Sequence, residues 1–162
     1  CDFGRLGIQI CWDMSYEDGW TELAARGADI VALASASPQT VRPAMHALRG
    51  PYYVVTSTPR DNATIFSPIG LPLAQRTTPG VLVHTVDLAY VILHWSEALE
   101  DGQSLGRHFG ERIGFAYSER EDTGVFWSND PHTTVGTMIR EAGLETMEEQ
   151  ILRTHHLRHT DL

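Results

Sequence analysis

Leu6-Gly7-Ile8-Gln9-Ile10-Cys11-Trp12-Asp13, followed at a short distance by Ala28-Asp29-Ile30-Val31-Ala32-Leu33-Ala34, decides the fold. In the first stretch Leu6, Ile8 and Ile10 alternate with Gly7, Gln9 and Cys11, the period of a β-strand. The second is a short continuous apolar run, typical of a strand covered on both faces. Between them Trp20, Leu23 and Ala24 recur at helical intervals, which predicts a helix over Glu17 to Arg26 with Gly27 as its stop. Strand, helix and buried strand make a βαβ unit, so Cys11 sits at the carboxyl end of a strand. In open α/β folds ligands bind at that edge. Ahead of it, Asp2-Phe3-Gly4-Arg5 reads as a tight turn.

Further along, a short helix is expected from Gln39 to Arg49, with Pro43 in its first turn. Strands are predicted at Tyr52 to Thr58, Ala63 to Ser67, Leu71 to Gln75 and Val81 to Val86. Turn signals separate them at Pro59-Arg60-Asp61-Asn62, Pro68-Ile69-Gly70 and Pro79-Gly80. The character changes after Asp87. Ala89 to Leu99 is apolar and expected to be helical, Asp101 to Pro131 is richer in glycine, charge and aromatics, and Thr133 to Ala142 and Thr146 to Arg158 read as amphipathic helices. Residues 1–88 therefore form one unit, and 89–162 a mainly helical extension that could lie as an arm against another subunit.

The chain has 162 residues, 42% of them hydrophobic, which suits a globular domain. Its net charge of −9 argues against a nucleic-acid partner or an anionic membrane surface, both of which need a basic face. No apolar run approaches the roughly 20 residues of a membrane span. All 12 basic residues are arginine, so any mechanism that needs a lysine cannot be completed by this chain alone. Cys1 and Cys11 are the only cysteines and make neither a disulfide framework nor a C-x-x-C site, so the expectation is a reducing, cytoplasmic setting. A redox pair of Cys1 and Cys11 lacks the needed spacing. Cys1 stands where an initiator methionine would, which predicts a piece of something longer or a processed product.

Cys11 is the leading chemical candidate. A thiol at a strand end that faces a helix N-terminus can gain a usable thiolate from the helix dipole. The Trp12 backbone N–H would point to the same spot and could stabilise a developing oxyanion. Glu17 and Asp18 would oppose a thiolate if close. The plain alternative is a cysteine that only fills core space. His84 and His94 are conceivable partners of a cysteine nucleophile, but their strand and helix settings favour structural roles. His155, His156 and His159 lack a carboxylate partner and read as a solvated helix end, so no metal is expected. Asp2-Phe3-Gly4 lacks every companion of the kinase magnesium motif and remains a turn. Asn129-Asp130-Pro131-His132 is placed to cap the helix that begins near Thr133. Phe126-Trp127-Ser128, just before it, could wall a pocket or meet a subunit.

Gly4-Arg5-Leu6-Gly7-Ile8-Gln9-Ile10-Cys11-Trp12-Asp13 resembles the nucleophile strand of the nitrilase, or carbon–nitrogen hydrolase, superfamily, where G-[RK]-[IL]-G leads into I-C-[YW]-D. Leu23-Ala24-Ala25-Arg26-Gly27-Ala28-Asp29-Ile30 is similar to the family's L-A-x-x-G-A-D-[IL]. Ser35-Ala36-Ser37 falls at its P-S-A strand end, with Ala34 in the proline position. Tyr53-Val54-Val55, Ile65-Phe66-Ser67-Pro68-Ile69-Gly70 and Val81-Leu82-Val83-His84-Thr85-Val86-Asp87-Leu88 are similar to its later strands, in order.

The resemblance implies an α/β fold, an α-β-β-α sandwich of which this chain holds the C-terminal half and a mostly helical extension. It implies a Glu-Lys-Cys triad acting on an amide, nitrile or carbamoyl amine, with no metal or organic cofactor. Carried over, Cys11 is the nucleophile, Trp12 the backbone oxyanion donor, and Asp13, Ser35, Ala36 and Ser37 shape the elbow and the substrate pocket. In the family both the glutamate and the lysine precede the cysteine, and residues 1–10 contain neither. Tyr16-Glu17-Asp18 replaces the usual Phe-Pro-Glu, and Ala47-Leu48-Arg49-Gly50 the usual A-x-E-N. The expectation is a hydrolase of non-peptide C–N bonds that is inactive as this piece alone and forms homo-oligomers through its sheet and helix faces. The alternative is a catalytically silent binding or assembly module of the same fold.

Overall fold

The computed structural model describes residues 1–160, with side chains as far as Leu157. Its internal contacts divide the chain into two compact units, Cys1–Leu88 and Ala89–Leu162. No described helix is long and apolar enough to cross a membrane.

The first unit is a five-stranded sheet of β1 (Leu6–Ile10), β2 (Ile30–Ala34), β3 (Tyr53–Ser57), β4 (Ala63–Phe66) and β5 (Pro72–Arg76), in that spatial order. β1, β2 and β3 are parallel, whereas β4 and β5 return antiparallel. The register Ile10↔Ala34↔Ser57 brings the carboxyl ends of the three parallel strands to one edge. Helices α1 (Glu17–Ala25) and α2 (Val41–Arg49) share one buried cluster with the sheet. In it Trp20 and Ala47 from the helices meet Val31, Leu33, Val54 and Phe66 from the strands. Burying a side chain of this size is worth about 1.5–3 kcal/mol relative to leaving it exposed.

The pleat of β1 assigns its residues to two different surroundings. Gly7 and Gln9 face α1, and a Cβ on Gly7 would come within 2.9 Å of the Leu23 side chain, so glycine lets α1 sit close to the strand. Leu6, Ile8 and Ile10 point the other way and are 43%, 65% and 62% exposed. The first unit is thus a mixed α/β layer pair, one sheet covered on one face by one helical layer. Gly70 closes the turn between β4 and β5 at φ +75°, with Ala44 O only 2.8 Å from where a Cβ would stand.

The second unit is built on an antiparallel sheet of β6 (Tyr90–His94), β8 (Thr123–Ser128) and β7 (Ile113–Ser118), with β8 central. Helices α3 (Gln103–Phe109), α4 (Val135–Glu141) and α5 (Met147–Thr160) accompany it. Leu105 and Phe109 of α3 and Met138 and Ile139 of α4 bury against Leu93 and Phe126 of the sheet.

Three local expectations are corrected here. Ala89 to Leu99 is not a helix: its Tyr-Val-Ile-Leu run pairs with β8, from Tyr90↔Trp127 to His94↔Thr123. Periodicity cannot separate a short apolar helix from a strand, and the available ladder partner decides it. Consequently the extension is not simply helical but organised on a three-stranded sheet. Val81 to Val86 forms no strand, and Val81 and Val83 are 83% and 82% exposed, because no described strand pairs with the segment. Finally, the cap of α4 is Thr134, whose hydroxyl accepts from Thr137 N. Asp130 instead accepts from His132 N and from Arg112.

Candidate active site

Cys11 follows the last residue of β1 directly and opens a 3-10 turn, Cys11–Ser15. The turn is short because Asp13 folds back: its Oδ2 accepts from Ile10 N at 2.8 Å, spanning the cysteine. Cys11 itself has φ +49°, a left-handed conformation that costs an L-residue about 1–2 kcal/mol. Such strain persists only where the surroundings over-determine it, and it clusters at functional sites.

The surroundings do hold the turn on every side. Trp20 Nε1 donates to Asp13 O at 2.8 Å, and Tyr16 N donates to the same oxygen at 3.2 Å. Met14 is buried among the helix–sheet core, and His46 Nε2 donates to its carbonyl at 2.9 Å. Arg42 Nη1 donates to Ser15 Oγ at 2.6 Å. Behind these contacts the His46 imidazole stacks on the Trp20 indole, with centroids 4.1 Å apart and planes 1° from parallel. Tyr52 Oη donates to Trp20 O at 3.4 Å, and burial, with Glu17 nearby, pushes its phenol up to about 12. It is therefore a neutral donor at any ordinary pH.

The first amides of a helical turn have no acceptor within the turn, and Trp12 N is one of them. α1 starts only at Glu17, so the thiol adjoins this single 3-10 turn rather than the N-terminus of an α-helix, as the sequence had suggested. Glu17 is turned away to Arg49, at 2.7 Å.

In front of Cys11 lies a cavity of about 350 Å³. The turn contributes Cys11, Trp12, Met14 and Ser15, and the loop after β2 contributes Ala36, Ser37 and Gln39. Arg42 enters from the first turn of α2, and Arg60 from the loop after β3. Of the residues singled out in the sequence, Cys11, Trp12, Ala36 and Ser37 come together on the cavity wall. Asp13 and Ser35 stand one step back: Asp13 holds the turn, and Ser35 Oγ accepts from Ser37 N at 3.0 Å.

Arg42, Arg60, Gln39 and His46 were not anticipated. Arg60 and Gln39 lie on loops that leave the carboxyl ends of parallel strands, a signal that could have found them. His46 carries no sequence signal beyond a helical position facing the core. His84 lies in the irregular segment after β5 and does not line the cavity. His94 is on β6, not on a helix. Among the described residues no three His, Cys, Asp or Glu side chains are grouped to hold a metal ion. The side chain of His159 lies outside the described residues.

Residues 1–93 match the family described as carbon-nitrogen hydrolase, and the chain belongs to that family. Among solved structures it is similar to Nit3 of Saccharomyces cerevisiae, a member of branch 10 of the nitrilase superfamily. That likeness has 20% identity over 43% of this chain and 32% of the other, with a TM-score of 0.41. It is also similar to an amidase of Nesterenkonia sp. AN1, seen with the acetamide moiety of fluoroacetamide added covalently at its active-site cysteine. There the identity is 22% over 48% of this chain and 35% of the other, with a TM-score of 0.42. A carbon-nitrogen hydrolase of Helicobacter pylori is 16% identical over 46% and 37%, with a TM-score of 0.41. The chain spans about a third of the length of these structures. No curated protein matches it.

Proposed function

We propose that this chain supplies the nucleophile-bearing part of an enzyme that hydrolyses non-peptide carbon–nitrogen bonds in small molecules. The observation that carries the reading is Cys11 itself: a left-handed residue at the carboxyl end of β1, pinned by Asp13, with its cavity in front. The family membership gives the reaction class.

The Cys11 sulfur attacks the carbon of an amide, a nitrile or a carbamoyl amine. For an amide the C–N bond breaks, ammonia or an amine leaves with the proton, and a thioester to Cys11 remains. Water then adds to the thioester, the C–S bond breaks, and the acid leaves with the thiol restored. Two moderate steps replace one hard hydrolysis. Trp12 N is placed to donate to the oxyanion formed in each step. Ala36 and Ser37, steadied by Ser35, form the wall against which the acyl group rests. The chain has no lysine to fill the place of the family's, and no described Asp or Glu lines the cavity at Cys11, so neither the lysine nor the water-activating base is assigned to this chain. The reaction as derived uses no metal or organic cofactor.

The test is ammonia or amine release by the enzyme assembled from its full reading frame, with and without Cys11→Ala. Turnover that depends on Cys11 supports the reading. A protein that binds such molecules but never turns them over would be the silent module of the same fold.

A further inference from the structure

We infer that the cavity at Cys11 selects substrates that carry a carboxylate, held by Arg42 and Arg60. This rests on the reading of Cys11 as the nucleophile and names the class of molecule it acts on. Two arginines share the wall of this one cavity with the cysteine, and no aspartate or glutamate does. Five other arginines pair with acids, Arg26 with Glu22, Arg49 with Glu17, Arg107 with Glu100, Arg112 with Asp130 and Arg153 with Glu145, whereas Arg5 and Arg76 are spent on backbone carbonyls. Neither Arg42 nor Arg60 pairs with a carboxylate among the described residues. Arg42 spends one nitrogen on the Ser15 hydroxyl, which fixes its direction and leaves its other donors unspent.

A guanidinium is always charged and presents a planar fork of donors that matches a carboxylate. Two such forks on one wall, with no carboxylate among the described lining residues, complement an anionic group of the ligand. The cavity of about 350 Å³ is near the small end of ligand sites, which favours a compact carboxylate over a bulkier anion. Arg42, held on Ser15 Oγ, stands beside the turn that carries Cys11, and Arg60 comes to the same cavity from the loop after β3.

Alkylation of Cys11 tests this without requiring turnover. The thiolate displaces iodide from either reagent and forms a thioether; iodoacetate carries a carboxylate, and iodoacetamide is its neutral analogue. Peptide mass spectrometry reads Cys11 separately from Cys1, and the same chain in urea gives the structure-free ratio of the two rates. The folded chain is expected to favour iodoacetate at Cys11 at least about threefold over the unfolded ratio, less so in 1 M salt. Arg60→Gln, whose side chain makes no hydrogen bond that the turn depends on, should lower this preference, and Arg60→Lys should keep most of it. Arg42→Gln with Arg60→Gln together should bring it to the unfolded value, with circular dichroism confirming the fold. A folded ratio no higher than the unfolded one, with ordinary iodoacetamide reactivity, overturns the carboxylate site and leaves the nucleophile reading standing. Cys11 inert to both reagents in the folded chain overturns both.

Discussion

The imidazole of His46 lies flat on the indole of Trp20, 4.1 Å between centroids, while its Nε2 donates to Met14 O. One buried side chain of α2 thus braces the turn that carries Cys11 through both a ring face and a hydrogen bond. Its Nδ1 is buried without a partner, so the contact is retained at some cost. His46→Ala removes both contacts and should destabilise the first unit by about 2–3 kcal/mol. His46→Phe keeps the ring over Trp20, loses the bond and removes the orphan nitrogen, so about 1 kcal/mol is expected. Urea unfolding followed by tryptophan fluorescence separates the two; equal losses would deny the stacking its role.

Asp13 acts on the cysteine through the backbone. Asp13→Ala frees Ile10 N and should cost about 0.5–2 kcal/mol, the range for losing a side-chain cap. Its more telling effect is on conformation: with the strap gone, Cys11 can leave its left-handed φ. Turnover by the full enzyme should fall far more than the stability change explains, with kcat affected more than KM. A kcat that stays unchanged would remove Asp13 from the positioning of Cys11.

In the second unit the Asp130 carboxyl lies below its ordinary value of 3.8, held there first by the His132 N–H and then by Arg112. The Thr146 amide and hydroxyl hold Glu149 below its ordinary 4.5 in the same way. A depressed carboxyl stabilises the fold above its unfolded pKa, and that contribution is lost as pH falls through the folded value. Stability should therefore decline as pH drops below about 4, and Asp130→Asn should flatten that part of the profile. Thermal melts between pH 2 and pH 6 check the slope; an unchanged slope in the variant would contradict the assignment.

Leu6, Ile8 and Ile10 form an exposed apolar stripe on the edge strand β1. Exposed, apolar edge strands associate. The 162-residue chain by itself is expected to self-associate and to release no ammonia from amides or nitriles. Ile8→Glu with Ile10→Glu should shift it toward monomer in sedimentation. A wild-type chain that sediments as a clean monomer contradicts this.

Legibility in the sequence tracked how local each signal was. β1, α1 and β2 were readable because alternation, helical spacing and Gly27 all agreed within a few residues of one another. The position of Cys11 at a strand end was readable for the same reason, since a strand end can be located without knowing what lies across the sheet. β6 was not, because Ala89 to Leu99 is equally apolar for a helix, and only its pairing with β8 decides the matter. Val81 to Val86 failed in the opposite direction, carrying a strand's composition without a ladder partner. Arg42 and Arg60 reach the cavity from separate elements, and His46, on the same helix as Arg42, meets Met14 from 32 residues away in the chain. No spacing rule brings such residues together before the fold does.

The most direct test of the central claim is the mass of the Cys11 peptide after acid quench. The enzyme from the full reading frame would be mixed with a panel of small amides, nitriles and carbamoyl amines, each with and without a carboxylate. A mass gain equal to the acyl group, confined to Cys11, is the predicted result. Cys11→Ala should abolish it and lower turnover by about a thousandfold or more. Turnover that persists in Cys11→Ala, or an acyl group carried by a different residue, would contradict the account.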